Sequence, residues 1–219
     1  MPNPGEHHPA FEEYCECIFE LQEDDLSVKQ VRIAERLQVS RPAVSEMLRR
    51  MAAEGLITDV KHIRLTAAGE ALAQRVVRKH RLAERFLVDL LGLSWAQAHH
   101  EAGKWEHIMS DDVEEAMARV LGNPTTCPHG NPIPGADYQA PSLVPLAEVE
   151  RGEPFTVTRI TEELEFAPGV LDFLEGSSIL PGHSGTVTSV SPDGTLTVAI
   201  EGRSVEVDPF ASARILVSA

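Results

Sequence analysis

The hydrophobic pattern of this chain changes period once, and that change limits the folds open to it. Through Leu121, apolar residues recur at the three-to-four spacing of helices that bury one face. From about Gly152 the segments "PFTVTRI", "GHSGTVTSV", "GTLTVAI" and "RSVEVDPF" alternate apolar and polar residues, the period of half-buried strands. Between the two lies "GNPTTCPHGNPIPGADYQAPSLVP", Gly122 to Pro145. Its prolines remove amide donors and bias their neighbours away from helix, so it reads as extended and irregular. The Asp-Gly of "SPDGT" tolerates positive φ and marks a hairpin, and "PGVLDFLEG" reads as one short helix. The expected fold is mainly α with β, its tail a small and partly open barrel.

The first 75 residues read as a winged helix-turn-helix. "FEEYCECIFELQ" puts Tyr14, Cys17, Ile18 and Leu21 on one helical face. "SVKQVRIAERLQV" starts at Ser27, a good N-cap, and offers Val31, Ile33, Ala34 and Leu37 for burial. "SRPAVSEMLRRMAAEG" has Ser40 as cap, Pro42 in its first turn and Gly55 after its last, the expected start and stop signals. "LITDVKHIRLTAAGEAL" then supplies two short strands as a wing and a helix start at Thr66.

Formal net charge is −15, which by itself opposes phosphate binding. Residues 26–64 differ from the rest: eight basic side chains against four acidic ones leave them net positive by four. The exposed start of the second helix, Ser40, Arg41, Pro42, Ala43 and Ser45, would face base edges, and Glu46 would accept from a cytosine amine. Arg49, Arg50, Lys61 and Arg64 are placed for phosphates. A helical bundle with a solvated basic face is the rival reading. Turn chemistry, wing and local charge together favour DNA.

Residues 99–110, "HHEAGKWEHIMS", gather imidazoles and carboxylates. With His99 at 0° on a helix, Glu106 falls at about −20°, Gly103 at about 40°, His107 at about 80° and His100 at about 100°. His80 and Glu84 lie four apart on the preceding helix, and Glu12, Glu13 and Glu16 lie on the first. Such a donor set suits Mn, Fe, Co, Ni or Zn. Spacing alone fits a metal seam and a solvated face of an acidic protein equally. It excludes a zincin, because Lys104 stands where the second histidine of His-Glu-x-x-His would be, and Gly103 interrupts the inverted form. No nucleophile elbow or phosphate loop is present, so no enzyme is expected. Cys15, Cys17 and Cys127 form no CxxC pair. No run approaches the length of a membrane span and "MPNPGEHHPAFEEY" lacks a signal-peptide pattern, so a cytoplasmic protein without membrane contact is expected.

"RKHRLAERFLVDLLGL", "EAGKWEHIMSDDVE" and "HGNPIPG" closely resemble the diphtheria toxin repressor and manganese transport regulator family, and the resemblance runs from Phe11 into the C-terminal region. It implies a homodimeric, metal-activated repressor of double-stranded operator DNA in three parts. These are a winged helix-turn-helix over 1–75, a helical dimerisation and metal-binding domain with the Pro-rich loop over 76–140, and an SH3-like (FeoA-type) domain over 150–219. The family's primary effector site falls on Glu13, His80, Glu106 and His107, with Glu16 matching a further carboxylate of manganese-type members. Its ancillary site falls on Glu84 and His99, joined in some members by the positions of Cys127 and His129. The C-terminal ligands of iron-type members fall on Ala167 and Val170, which cannot coordinate, leaving Glu165 as the substitute. Gly103 stands where relatives place a ligand; its carbonyl is expected to be committed to the helix, so water, Glu16 or His100 would fill the place. The resemblance implies a divalent metal effector; the oxygen donors Glu13 and Glu16 favour Mn(II), with Fe(II) the alternative and Zn, Co or Cd able to bind in vitro. Phe86, Leu87, Leu90, Leu91 and Met109 are expected at the dimer interface. A winged-helix regulator of a non-metal ligand is the remaining rival.

Overall fold

The computed structural model describes residues 9–219. The signal-peptide reading and the first part of the 1–75 domain thus fall partly on residues 1–8, outside the described residues. α1 (Pro9–Glu23), α2 (Gln30–Arg36) and α3 (Arg41–Ala53) pack around one core that includes Ile18, Leu21, Ile33, Val44, Leu48 and Met51. Ser40 caps α3 by accepting from the Ala43 amide, and Pro42 lies in the first turn. Ser27 does not cap α2: Lys29 holds the N-cap position with no side-chain bond, because the helix starts three residues later than its polar signal. The wing has no two strands either. It is a single bridge between Ile57 and Leu65, with the intervening turn held by Asp59 Oδ1, which accepts from the Lys61 and His62 amides.

α4 (Ala67–Asp89) starts at the Thr66 cap and runs uninterrupted through positions 75 and 76. One rigid rod therefore joins the winged helix to the metal-rich region. It can approach the wing because residue 69 is glycine: a Cβ there would lie 2.0 Å from the Leu56 carbonyl oxygen. α5 (Trp95–Trp105) opens with a Ser94–Gln97 capping box, and α6 (Asp111–Val120) is capped by Ser110. α5 ends at Trp105; Glu106, its C-cap, keeps helical backbone angles and donates to the Ala102 carbonyl, while His107 lies in the turn that follows.

The C-terminal part is a six-stranded antiparallel sheet in the order β1-β6-β2-β3-β4-β5, open between its two edges. Its strands are β1 (Val144–Pro145), β2 (Pro154–Ile160), β3 (Ser184–Val190), β4 (Leu196–Ile200), β5 (Arg203–Val207) and β6 (Ile215–Ser218). This is the expected small SH3-like unit. Between strands lie α7 (Glu162–Glu165), α8 (Val170–Gly176) and α9 (Pro209–Ser212). Trp95 of α5 belongs to its core, and the Trp95 amide donates to Glu175 at 3.2 Å, so the sheet is docked on the helical region. The Pro-rich loop is irregular as expected, yet Cys127, His129 and Asn131 within it are almost fully buried. Gly130 permits this: its φ is +90°, and a Cβ would sit 2.1 Å from the Thr158 carbonyl oxygen of β2.

Candidate metal centre and DNA-binding face

Three groups of ligand atoms meet in the interior. Glu16 of α1, His80 of α4 and Glu106 after α5 form one; His80, Glu84 and His99 a second; Glu84, Cys127 and His129 a third, with atoms in each within 4.8 Å of one another. His80 links the first two. Its Nδ1 is 2.5 Å from Glu106, while its Nε2 faces Glu84 Oε1 at 3.2 Å and His99 Nδ1 at 3.3 Å. The i, i+4 spacing of His80 and Glu84 on α4 puts both on one face, as the sequence required.

Glu165 joins the second and third groups from α7. Its Oε2 is 2.9 Å from His129 Nδ1 and 3.2 Å from His99 Nδ1. Glu165, the substitute carboxylate expected from the sequence, thus lies against both histidines. Asn131, which the sequence reading missed, orients it by donating to Oε1 at 2.7 Å while donating also to the Ile160 carbonyl. The signal was there in "HGNP", since a buried loop amide needs partners.

Glu13 is exposed and lines the cavity of about 560 Å³ beside these groups, but it is in none of them. Its neighbour Glu12 instead contacts His107 Nδ1 at 2.8 Å, and His107 Nε2 faces Glu106 Oε1 at 3.2 Å. His100 is exposed on the cavity wall and also in no group. At Gly103 a Cβ would meet nothing within 4 Å, so close packing is not why the residue is glycine. The helix-bound carbonyl is corrected as well: α5 ends two residues on, and among the described residues no backbone amide beyond the helix donates to the Gly103 oxygen. It is a candidate ligand.

The electrostatics fit a cation. Burial opposes charge on His80, yet Glu84 and Glu106 raise its pKa well above the usual imidazole range. Glu165 and Glu84 do the same for His129, and His99 is raised to about 9 against burial by Glu165 and Glu84. Burial, with Glu106 and Glu20, drives Glu16 up, while burial and Glu84 raise the Cys127 thiol. Glu16 Oε1 is buried without a hydrogen-bond partner. A buried carboxylate oxygen left unpaired is costly, and a cation held by the Glu16–His80–Glu106 group would satisfy it.

On the opposite side of the winged helix, Arg41, Pro42, Ala43, Glu46, Arg49, Arg50, Lys61 and Arg64 are exposed, and Ser45 and Ser40 border them. Glu46 and Ser45 are engaged by Arg49, through Nη1 and Nη2 respectively, and Arg50 lies over the Phe11 ring at 5.2 Å. Glu46 therefore neutralises its own helix's arginine rather than standing free for a base.

A chain built from a DNA-reading winged helix, a buried cluster of imidazoles and carboxylates, and a small docked sheet belongs to the class of metal-responsive DNA-binding regulators. Residues 8–63 match the model described as the iron dependent repressor N-terminal DNA binding domain, and residues 66–135 match its metal binding and dimerisation domain. The iron-dependent repressor IdeR of Mycobacterium leprae is 41% identical over 204 residues, covering 87% of this chain and 88% of its own. The diphtheria toxin repressor of Corynebacterium diphtheriae is 36% identical over 207 residues, 90% and 91% of the two chains. A manganese-dependent transcriptional repressor in complex with manganese superposes with a TM-score of 0.86 at 33% identity, over 95% of this chain and 99% of that one. This chain is a member of the iron-dependent repressor family of metal-dependent transcriptional repressors. Among the described residues no helix is long and apolar enough to cross a membrane.

Proposed function

We propose that this repressor is activated by Mn(II) and binds operator DNA as a homodimer in the cytoplasm, without enzymatic activity. The observation that carries the reading is the meeting of Glu16, His80 and Glu106, from three separate segments, around one point. No sulfur donor is among them, which suits Mn(II) or Fe(II) over softer ions. Fe(II) is the second reading, favoured by the 41% identity to a repressor named for iron. Glu13, with Glu12 behind His107, would complete the primary set; Glu84, His99, Cys127, His129 and Glu165 would form the other.

A bound divalent cation supplies the positive charge that these carboxylates lack. Glu16 then ties α1 to α4, and Glu106 ties α4 to the turn after α5. Because α1 is part of the winged-helix core, its position sets where α3 points. Activation requires that the DNA-competent arrangement bind the cation more tightly than the alternatives. Ser40, Arg41 and Ser45 of α3 would read bases, and Lys61 and Arg64 of the wing would hold phosphates. The dimer face we assign to Leu90, Leu91, Ile108 and Val113, exposed apolar residues along the helical domain. Phe86 is partly buried in that domain's core, and Leu87 and Met109 are buried there, so these three support the face from within. Boundaries at 1–75, 76–140 and 150–219 remain the proposed functional division, with α4 spanning the first of them.

Gel shifts with chelated protein and with added Mn(II), Fe(II) or Zn(II), on DNA upstream of metal-transport genes, test this. Mn(II) is expected to restore the operator binding that chelator removes, with His107→Ala abolishing the response. Binding that is indifferent to chelator refutes the reading.

A further inference from the structure

α7 is four residues long, yet its polar groups reach three other elements. Glu162 Oε1 accepts from Arg81 Nη2 of α4 at 2.7 Å, and the Glu162 carbonyl accepts from Arg36 Nη1 of α2 at 3.2 Å. Glu163 Oε1 accepts from Arg32 Nη1 of α2 at 3.1 Å, and the Glu163 amide donates to Asp24 Oδ2, just past α1, at 3.2 Å. Glu165, two residues on, faces His99 and His129. Phe166 closes the connection: the Arg36 guanidinium lies over its ring at 4.1 Å, and the His99 ring meets it edge-on at 5.2 Å. His99 and an arginine of the helix-turn-helix thus meet on one ring, Phe166, next to Glu165 in the C-terminal domain.

We propose that α7 is a lever by which the Glu84–His99–His129–Glu165 group controls the winged helix. The proposal rests on the metal-repressor reading above. Glu165, committed to a divalent cation, holds α7; α7 holds α2 through Glu163–Arg32 and through the Glu162 carbonyl and Phe166 with Arg36. α2 packs on α3 in one core, so fixing α2 fixes the DNA-reading helix. Arg36 is well suited to transmit this. Its side chain is largely buried, its other partner is Glu20 of α1 at 3.5 Å, and leaving α7 would give up both paired contacts. The C-terminal domain then takes part in DNA binding without touching DNA. The linkage also runs in reverse, because coupling between two binding events is reciprocal: operator DNA raises the affinity of this group for the cation.

Amide hydrogen exchange of the full-length dimer with and without MnCl2 tests the lever. In the native protein, Mn(II) is expected to slow exchange across residues 30–36 by tenfold or more. Glu163→Gln cuts the α2 side of the lever, lies away from α3 and the wing, and keeps the Mn(II) stoichiometry while losing most of the slowing. Glu165→Gln cuts the metal side, keeps Glu16, His80 and Glu106, and loses the slowing too. Arg32→Gln severs the contact of Glu163 from the other domain and must reproduce its effect, which guards against misfolding of a single variant. Slowing that persists in Glu163→Gln or Arg32→Gln overturns the proposal. So does native α2 unmoved by Mn(II) while Mn(II) still drives operator binding, an outcome that spares the proposed function. A protein that binds no Mn(II) overturns both.

Discussion

Gly103 interrupts the imidazoles and carboxylates gathered on and after α5, and the structure makes its replacement a quantitative test. A Cβ at 103 meets nothing within 4 Å, and the residue lies near the end of α5 with a helical backbone. Gly103→Ala should therefore relieve the helix penalty of glycine, about 0.5–1 kcal/mol. For a chain of this size that raises Tm by about 1–4 °C. The backbone carbonyl stays in place, so Mn(II) affinity should be unchanged. Gly103→Glu adds a carboxylate facing the cavity that Glu16, His80 and Glu106 line. In metal-free protein its helix gain is partly offset by repulsion from Glu106 three residues on, about 0.2–0.5 kcal/mol, so Tm should rise less than in Gly103→Ala. With Mn(II) it becomes a further ligand and should tighten binding by about tenfold, about 1.4 kcal/mol. Differential scanning calorimetry of chelated protein and titration calorimetry with Mn(II) give both numbers. A fall in Tm for Gly103→Ala refutes the open-space argument, and unchanged affinity in Gly103→Glu refutes the placement of residue 103 at the metal.

Metal affinity should rise with pH, because the imidazoles must be neutral to ligate. His99 is raised to about 9, and His80 and His129 are raised as well, so each proton displaced adds about tenfold per pH unit, for His99 below about 9. Calorimetry in buffers of different ionisation enthalpy counts these protons, and a count of zero refutes the assignment. In the metal-free protein the sign reverses: the ion pairs of His99 with Glu84 and Glu165 stabilise fully below about 6.5, and that contribution is lost as pH climbs through about 9, so apo Tm should fall over that window. Glu12→Gln should weaken Mn(II) binding by about 10–100-fold, as loss of a partner that orients a ligating histidine does, whereas the same change at His100 should do little. Ile108 is 81% exposed, and burying it in both halves of a dimer contributes about 3 kcal/mol or more. Ile108→Asp should raise the dimer Kd at least about a hundredfold in sedimentation equilibrium.

The sequence by itself determined the parts whose information is local. Ser40 and Pro42 started α3, Thr66 started α4, and the segment "PFTVTRI" coincides with β2, its alternation holding until the register shift between Val157 and Arg159. Such signals work because caps and periodicity act within a turn or two of chain. His80 with Glu84 was legible for the same reason, being one helix turn apart. The tertiary structure decided what depended on partners far away in sequence. Ser27 lost its capping role to the packing of α2, and the wing shrank to one bridge. β1 and β6 pair with each other across some seventy residues, and the two-residue β1 has too little pattern of its own to be seen. At the metal centre the choice between Glu12, Glu13 and Glu16 was likewise not local: three acids within five residues look alike until α1 is set against α4 and the turn after α5, and then Glu16 faces His80, Glu12 faces His107, and Glu13 faces the cavity. Glu165 became a member of the cluster only because Gly130 lets the Pro-rich loop press against β2 and Asn131 holds the carboxylate in place. Candidate ligands could be read from residue types, but their geometry belongs to the packing of four distant segments.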